Sequence, residues 1–314
     1  MDMKDAVVIG TGTMGPGIAA CLALAGARAT MVSRTASGAA AGVSAARALL
    51  KQLGENDLAP ADRMAAAAFR LAGSDDLTAS AACCDFVVEA IVEDMSLKKE
   101  LFARLDRAAP ETAILASCTS GLSITEIARA TARPGRVITA HFWNPPHLMP
   151  LVEVVKGEKT EETAITRTMS ILRGLGKTPV LLRQDRPGQL GNRIQTALMR
   201  EAMSIVEQGI ASAEDVDLAV RLGFGLRMPM WGPLQHIDAV GLDLVLSVQD
   251  YVLPDLNNEP RAPQVLRDKV ARGELGQKTG RGFYDSKTHD LEAAKKARDA
   301  FLIEFLRARR NRVD

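Results

Sequence analysis

The sequence predicts an α/β fold: an N-terminal doubly wound, mostly parallel sheet followed by an all-helical C-terminal domain. Three observations predict it. Short apolar runs of strand length alternate with helical stretches as far as Leu182. The first of these runs leads directly into a glycine-rich turn that opens a helix. Beyond Arg183-Gln184-Asp185-Arg186-Pro187-Gly188 the alternation stops and only helical patterning remains.

In chain order, residues 6–9 (Ala-Val-Val-Ile) read as a short buried strand, followed by glycines and an apolar helix over about 14–25 that Gly26 caps. Residues 29–32 form a second strand, and 36–73 are alanine-rich with helical spacing. Residues 86–90 are another strand and 96–106 an amphipathic helix. The runs 114–116, 137–140, 151–155 and 179–182 complete the strands. Helices are expected over 189–209, 213–222, 233–251, 262–272 and 290–309. A boundary near 186 gives two domains, 1–186 and 187–314, in keeping with a length of 314 residues.

The bulk composition excludes several classes. Thirty-nine basic residues against 38 acidic ones argue against a nucleic-acid or membrane-surface role. The basic run 307–312 reads as a solvated helix end. Cys21, Cys83, Cys84 and Cys118 lack metal-ligand spacing and read as reduced thiols. Cys118 stands near the expected site and is a candidate accessible thiol. No charged leader with an apolar core opens the chain, and no long uncharged apolar run follows. A cytoplasmic protein is expected.

Gly10-Thr-Gly12-Thr13-Met14-Gly15-Pro-Gly17 sits between the first strand and a helix. Its glycines serve a tight turn, close approach of the backbone to a pyrophosphate, and tight helix packing. Gly10, Gly12, Thr13, Met14 and Gly15 are therefore the expected cradle of a dinucleotide in a Rossmann domain, with the helix N-terminus facing the phosphates. NAD-binding units usually end their second strand in an acid that accepts from the adenine ribose. Between Asp5 and Glu55 there is none, and the strand ends in Ser33-Arg34-Thr35. A hydroxyl and a guanidinium suit a 2′-phosphate, so the cofactor is NAD or NADP with NADP favoured.

His141 and Glu153 lie twelve positions apart in one apolar stretch, TAHFWNPPHLMPLVEVV. A lone carboxylate in a buried strand is costly unless something satisfies it, and a histidine is a natural partner. Such a pair suits proton transfer near neutral pH. Ser120, after another strand, and Asn192, opening the first helix of the second domain, can converge on the same crevice.

The motifs GTGTMGPG (10–17), VVEAIVED (87–94), SCTSGLSIT (117–125), HFWNPPHLMPLVEV (141–154), PGQLGNR (187–193), GPLQHIDAVGLD (232–243) and KTGRGFY (278–284) together resemble the 3-hydroxyacyl-CoA dehydrogenase family over nearly the whole chain. The resemblance implies an NAD(P)-dependent dehydrogenase acting on a CH–OH group, and a homodimer formed through the C-terminal domain. It implies His141 as the catalytic base and Glu153 as its orienting carboxylate. Ser120 and Asn192 would bond the reacting oxygen, and Asn144 would lie near the nicotinamide. Glu93, Lys98 and Lys278 match cofactor-contacting positions. The implied substrate is the 3-hydroxy or 3-oxo carbon of a hydroxyacyl-CoA or a free hydroxy acid. Three departures bear on that choice. The helix after the second strand, SGAAAGVSAARALLKQLGE, offers only Arg47 and Lys51 to the phosphates of CoA; the loop reads NPPH; and Gln189 stands where the family commonly has Phe. These features look like branches acting on non-CoA molecules, such as the L-gulonate 3-dehydrogenases and the pyridine dehydrogenases of vitamin B6 degradation. A carnitine-like substrate is a further option. By the same analogy 227–231 would line the substrate side, with Arg227 holding a carboxylate. His147 reads as a loop residue near the site and His236 as helix packing. The alternative of another class is a structural relative that keeps the fold and cofactor without turnover.

Overall fold

The computed structural model describes residues 3–310 of the chain. It opens with β1 (Asp5–Ile9), buried along nearly its whole length as an unbroken apolar run requires. The glycine turn leads into α1 (Gly15–Leu24), in which every residue but the last is buried. Gly26 follows in the left-handed region at φ +105° and reverses the chain into β2 (Arg28–Val32). Next comes α2 (Ala36–Glu55), whose N-cap Thr35 accepts from the Gly38 N–H.

The alanine-rich stretch is not one helical region. Asp57 turns it at φ +56°, Pro60 starts α3 (Ala61–Phe69), and its end forms β3 (Leu71–Ser74). That strand has no β pattern of its own; its pairing with β2 makes it one. A short α4 (Leu77–Ala81) precedes β4 (Phe86–Glu89), and α5 (Met95–Ala108) precedes β5 (Ile114–Ser117). A short α6 (Ile124–Ala128) leads to β6 (Val137–Phe142) and β7 (Leu151–Lys156), then α7 (Glu162–Gly174) and β8 (Thr178–Leu182). The eight strands lie in the order β3-β2-β1-β4-β5-β6-β7-β8. Every neighbouring pair is parallel except β6 and β7. Apolar clusters cover both faces, one around Ile18, Leu22 and Leu172 and the other around Phe102, Leu105 and Ile127. This is the expected doubly wound sheet.

The remainder is helical: α8 (Gly191–Glu207), α9 (Ala213–Leu222), α10 (Phe224–Arg227), α11 (Pro233–Val240), α12 (Leu242–Val252), α13 (Gln264–Ala271) and α14 (Leu291–Arg310). The single helix expected over 233–251 is two, because Gly241 at φ +107° breaks it. The chain divides into two compact units, one of residues up to 192 together with those from 296 onward, the other of 193–295. Along the chain the first change of unit falls between 192 and 193. The last helix returns to the first unit, where Ile303 is buried with Leu53 and Leu148. Arg307 there donates to the Asn56 carbonyl (2.7 Å) and Arg309 to Thr178 (3.1 Å), so the basic run is partly tied down; its residues 311–312 lie outside the described ones. Among the described residues, no helix is long and apolar enough to cross a membrane.

Candidate active site

The antiparallel pairing of β6 with β7 explains the twelve-residue spacing. It sets His141 directly opposite Glu153, so their side chains share one face. His141 Nδ1 and Glu153 Oε2 are 2.7 Å apart, with Glu153 fully buried and His141 nearly so. The carboxylate only accepts, so the imidazole donates from Nδ1 and keeps Nε2 free. Glu153 Oε2 also accepts from the Trp143 indole N–H at 3.1 Å. Its Oε1 accepts from the backbone N–H groups of Leu190 (3.0 Å) and Gly191 (2.8 Å). Burial alone would push the Glu153 carboxyl up, but His141 foremost, and the Gly191 and Leu190 N–H groups, hold it below the usual carboxylate range.

A second set of bonds builds the loop after β5. Glu89, the last residue of β4, is fully buried; it accepts from Lys98 Nζ (2.5 Å), Ser117 Oγ (2.6 Å) and the Ile91 N–H (2.8 Å). Lys98 also lies 3.3 Å from Glu93 Oε2. Glu93 Oε1 in turn accepts from the Thr119 hydroxyl (2.5 Å) and the Ser120 N–H (2.9 Å). Burial works against the Glu93 charge, yet these donors and Lys98 keep its carboxyl below the ordinary range. The ring Glu89–Lys98–Glu93–loop thus fixes the segment that presents Ser120, whose side chain is exposed. Asn192 Nδ2 donates to the Ser120 carbonyl (3.0 Å), and Gln189 Nε2 to the Thr119 carbonyl (2.8 Å).

The turn after β1 has the shape a dinucleotide needs. Gly10 stands at φ +109°, and a Cβ there would lie 2.4 Å from the Ala90 carbonyl oxygen. A Cβ at Gly15 would lie 1.9 Å from the Gly10 oxygen, so neither position admits a side chain. Above Gly12 there is open space. Met14 caps α1 without a side-chain bond, and the first turn carries no acid, so its N–H groups are available to an anion. Thr13 is exposed beside them. A dinucleotide pyrophosphate fits this cradle. At the end of β2, Arg34 is exposed and has no bonded partner among the described residues, and Ser33 packs against Gly38.

The structure therefore brings together His141, Glu153, Ser120, Asn192 and Glu93 at the C-terminal ends of the parallel strands, the side on which such sheets bind ligands. Asn144 follows β6, exposed. Lys98 is 1% exposed and spends its charge on two glutamates inside the fold. Lys278 belongs to the second unit, exposed on the turn between α13 and α14. His147 faces α2: its Nε2 is 3.1 Å from Gln52 Oε1, and burial, aided by Lys177, lowers its pKa to about 4. Burial pushes the Cys118 thiol up to about 12, which leaves it a poor nucleophile. Arg227 and His236 meet each other at 3.3 Å in the second unit.

Sequence reasoning passed over Glu89, Trp143 and the bonding role of Gln189. For Glu89 the signal was present: an acid closing an apolar strand, the same pattern that singled out Glu153. For Trp143 there was none, since its role depends on the backbone of Gly191, far along the chain.

A nucleotide-binding sheet with a histidine–carboxylate pair at its C-terminal edge defines a nicotinamide-dependent dehydrogenase. Residues 5–186 match the model of the 3-hydroxyacyl-CoA dehydrogenase NAD binding domain, and residues 188–286 that of the C-terminal domain of the same family. The chain belongs to the 3-hydroxyacyl-CoA dehydrogenase family, and with it to the NAD-dependent oxidoreductases. It is 39% identical over 286 residues to a probable 3-hydroxybutyryl-CoA dehydrogenase of Bacillus subtilis, covering 91% of this chain and 98% of the relative. It is 31% identical over 308 residues to the 5-formyl-3-hydroxy-2-methylpyridine 4-carboxylate 5-dehydrogenase of Mesorhizobium japonicum, covering 97% and 98%. A crystal structure of a dehydrogenase of that pyridine acid, called an NAD+ dependent dismutase, superposes with a TM-score of 0.90 at 30% identity, covering 98% of both chains.

Proposed function

We propose that this protein oxidises and reduces a free hydroxy or carbonyl compound, without CoA, using His141 as general acid–base and Glu153 as its orienting carboxylate. The observation that carries the acid–base assignment is the 2.7 Å bond between His141 Nδ1 and a carboxylate saturated by donors. It leaves His141 Nε2 to take the substrate hydroxyl proton during oxidation and to return it during reduction. The resulting imidazolium faces Glu153, which stabilises it. Ser120 Oγ and Asn192 Nδ2 hold the reacting oxygen, and Asn144 lies beside the nicotinamide. Gly10, Gly12, Thr13, Met14 and Gly15 hold the pyrophosphate, with Glu93 and Lys278 as further cofactor contacts and Lys98 behind Glu93. The nicotinamide, when bound, is the hydride acceptor or donor.

Two observations favour a substrate without CoA. The only basic residues of α2 are engaged, Arg47 with the Ala68 carbonyl (3.3 Å) and Lys51 with Glu55 (3.5 Å). The match to the pyridine dehydrogenase also runs over nearly the whole of both chains. A hydroxyacyl-CoA is the second reading, favoured by the higher identity to the Bacillus subtilis relative. Nicotinamide absorbance with acetoacetyl-CoA, free hydroxy acids and heteroaromatic aldehydes separates the two. Turnover of the CoA ester alone would overturn the first. His141→Ala is expected to lower turnover by about 10²- to 10⁴-fold with cofactor binding intact; unchanged turnover would refute the base.

The unpartnered Arg34, beside Ser33 at an acid-free helix start, supports NADP over NAD. Arg34→Ala should lower kcat/KM with NADP and spare it with NAD; equal effects would sink that reading. We also read the protein as a cytoplasmic homodimer that pairs through residues 187–314. Its free cysteines fit a reducing compartment. Its exposed apolar residues Leu226, Leu234, Leu242 and Leu246, each more than 60% accessible, fit a dimer surface.

A further inference from the structure

Trp143 follows β6, and its indole occupies a place made for it. A Cβ on Gly191 would lie 2.3 Å from Trp143 Cζ2, so the ring packs directly on the backbone that donates to Glu153 Oε1. From there its N–H reaches Glu153 Oε2, the same oxygen that bonds His141. His141 and Trp143 ring centroids are 5.6 Å apart. The carboxylate thus carries two donors on each oxygen, close to its full capacity of about four lone-pair sites.

We propose that Trp143 is a positioning residue of the acid–base pair: by sharing the Glu153 oxygen with His141, its indole N–H weakens the hold of the carboxylate on the imidazole proton. This rests on His141 being the base. Each donor withdraws charge from the carboxylate, and a carboxylate with less charge stabilises the imidazolium less. The indole therefore keeps the base ready to take a proton at lower pH. It extends toward lower pH the range in which the unprotonated base that oxidation needs is present, and narrows the range of the protonated form that reduction needs. The other ionisable groups gathered at this end of the sheet bond elsewhere. Glu89, Glu93 and Lys98 bond one another and the 117–121 loop, and Cys118 is a half-buried thiol whose Sγ faces the Phe142 carbonyl. None of them bonds His141 or Glu153 among the described residues.

The test is Trp143→Phe, which keeps a ring over Gly191 and removes only the donor. The acid limb of kcat/KM for alcohol oxidation should move up by about half a pH unit, an approximately 3-fold loss of rate on that limb, with the plateau little changed. A merely structural role would lower the plateau and leave the limb in place, which would overturn the proposal. A second readout needs no turnover. The chain has two tryptophans, so the ¹⁵N-labelled protein shows two indole N–H signals, and Trp143→Phe assigns one of them. That signal should titrate with the midpoint of the kinetic limb and cease to do so in Glu153→Gln. A signal that stays still across the limb would overturn the proposal. His141→Ala keeps the two readings apart: if it retains turnover the base assignment fails, whereas a dead His141→Ala beside an unmoved Trp143→Phe limb removes only the role of Trp143.

Discussion

At the scale of single residues, the candidate site is built on carboxylates that donors surround inside the fold. Glu153 meets four donors and Glu89 three, all from the protein. Glu89→Gln leaves Lys98 with only the half-exposed Glu93. Breaking a buried ion pair from one side costs about 3 kcal/mol or more, so a clear fall in the urea midpoint is expected, together with lower kcat as Ser120 loosens. An unchanged midpoint would mean the ring is not a brace. The acid response has a definite sign. The His147 pKa falls from 6.5 to about 4 on folding, because burial disfavours its charge. The native state therefore binds fewer protons, and the stability this gives is full above pH 6.5 and lost as pH falls toward 4. The loss amounts to at most about 3 kcal/mol. His147→Gln should flatten the denaturation midpoint over that window; the same slope in wild type and variant would contradict it. Glu93 and Glu153, held below the carboxylate range, add stability that is present above the ordinary carboxyl value of 4.5 and is lost as pH falls below it.

At the scale of elements, each site residue is placed by a strand end or a cap. The turn into α1 admits no side chain at Gly15, where a Cβ would meet backbone that cannot move aside. Gly15→Ala should abolish coenzyme binding by calorimetry even where the protein still folds; retained affinity would show that the turn adapts. The N-cap of α5 is Asp94, which accepts from the Leu97 N–H (3.0 Å) and immediately follows Glu93. Asp94→Ala is expected to cost about 1 kcal/mol and to free the start of α5. The β6–β7 pair converts a sequence distance of twelve into a direct cross-strand contact. That conversion was partly legible, since the apolar runs around His141 and Glu153 both read as strands. Their antiparallel register was not, because a strand pattern does not say which neighbour it pairs with.

At the scale of the molecule, the last helix matters most. Its second half buries Ile303 against Leu53 and Leu148, about 250 residues earlier in the chain for Leu53. Ile303→Ala should cost about 2 to 4 kcal/mol, and deleting residues from 296 onward more. A truncated protein with wild-type melting behaviour would show that this packing is dispensable. The apolar residues exposed on α10, α11 and α12 belong to the same scale. Light scattering at the dimer mass, lost on Leu234→Glu, is the expected result; a monomeric wild type would leave those residues without a partner.

The sequence by itself determined the class of sheet, the glycine turn after the first strand, the His141–Glu153 pair and the family. Each is written in local signals: apolar period, glycine spacing, and a charge inside an apolar run. Only the tertiary structure decided that β3 is a strand, that Lys98 faces inward, that Glu89 and Trp143 bond the candidate site, and that the last helix returns to the first unit. In each of those cases the deciding partner is distant in the chain, and a residue's environment in a packed interior depends on which distant groups reach it rather than on its neighbours in sequence.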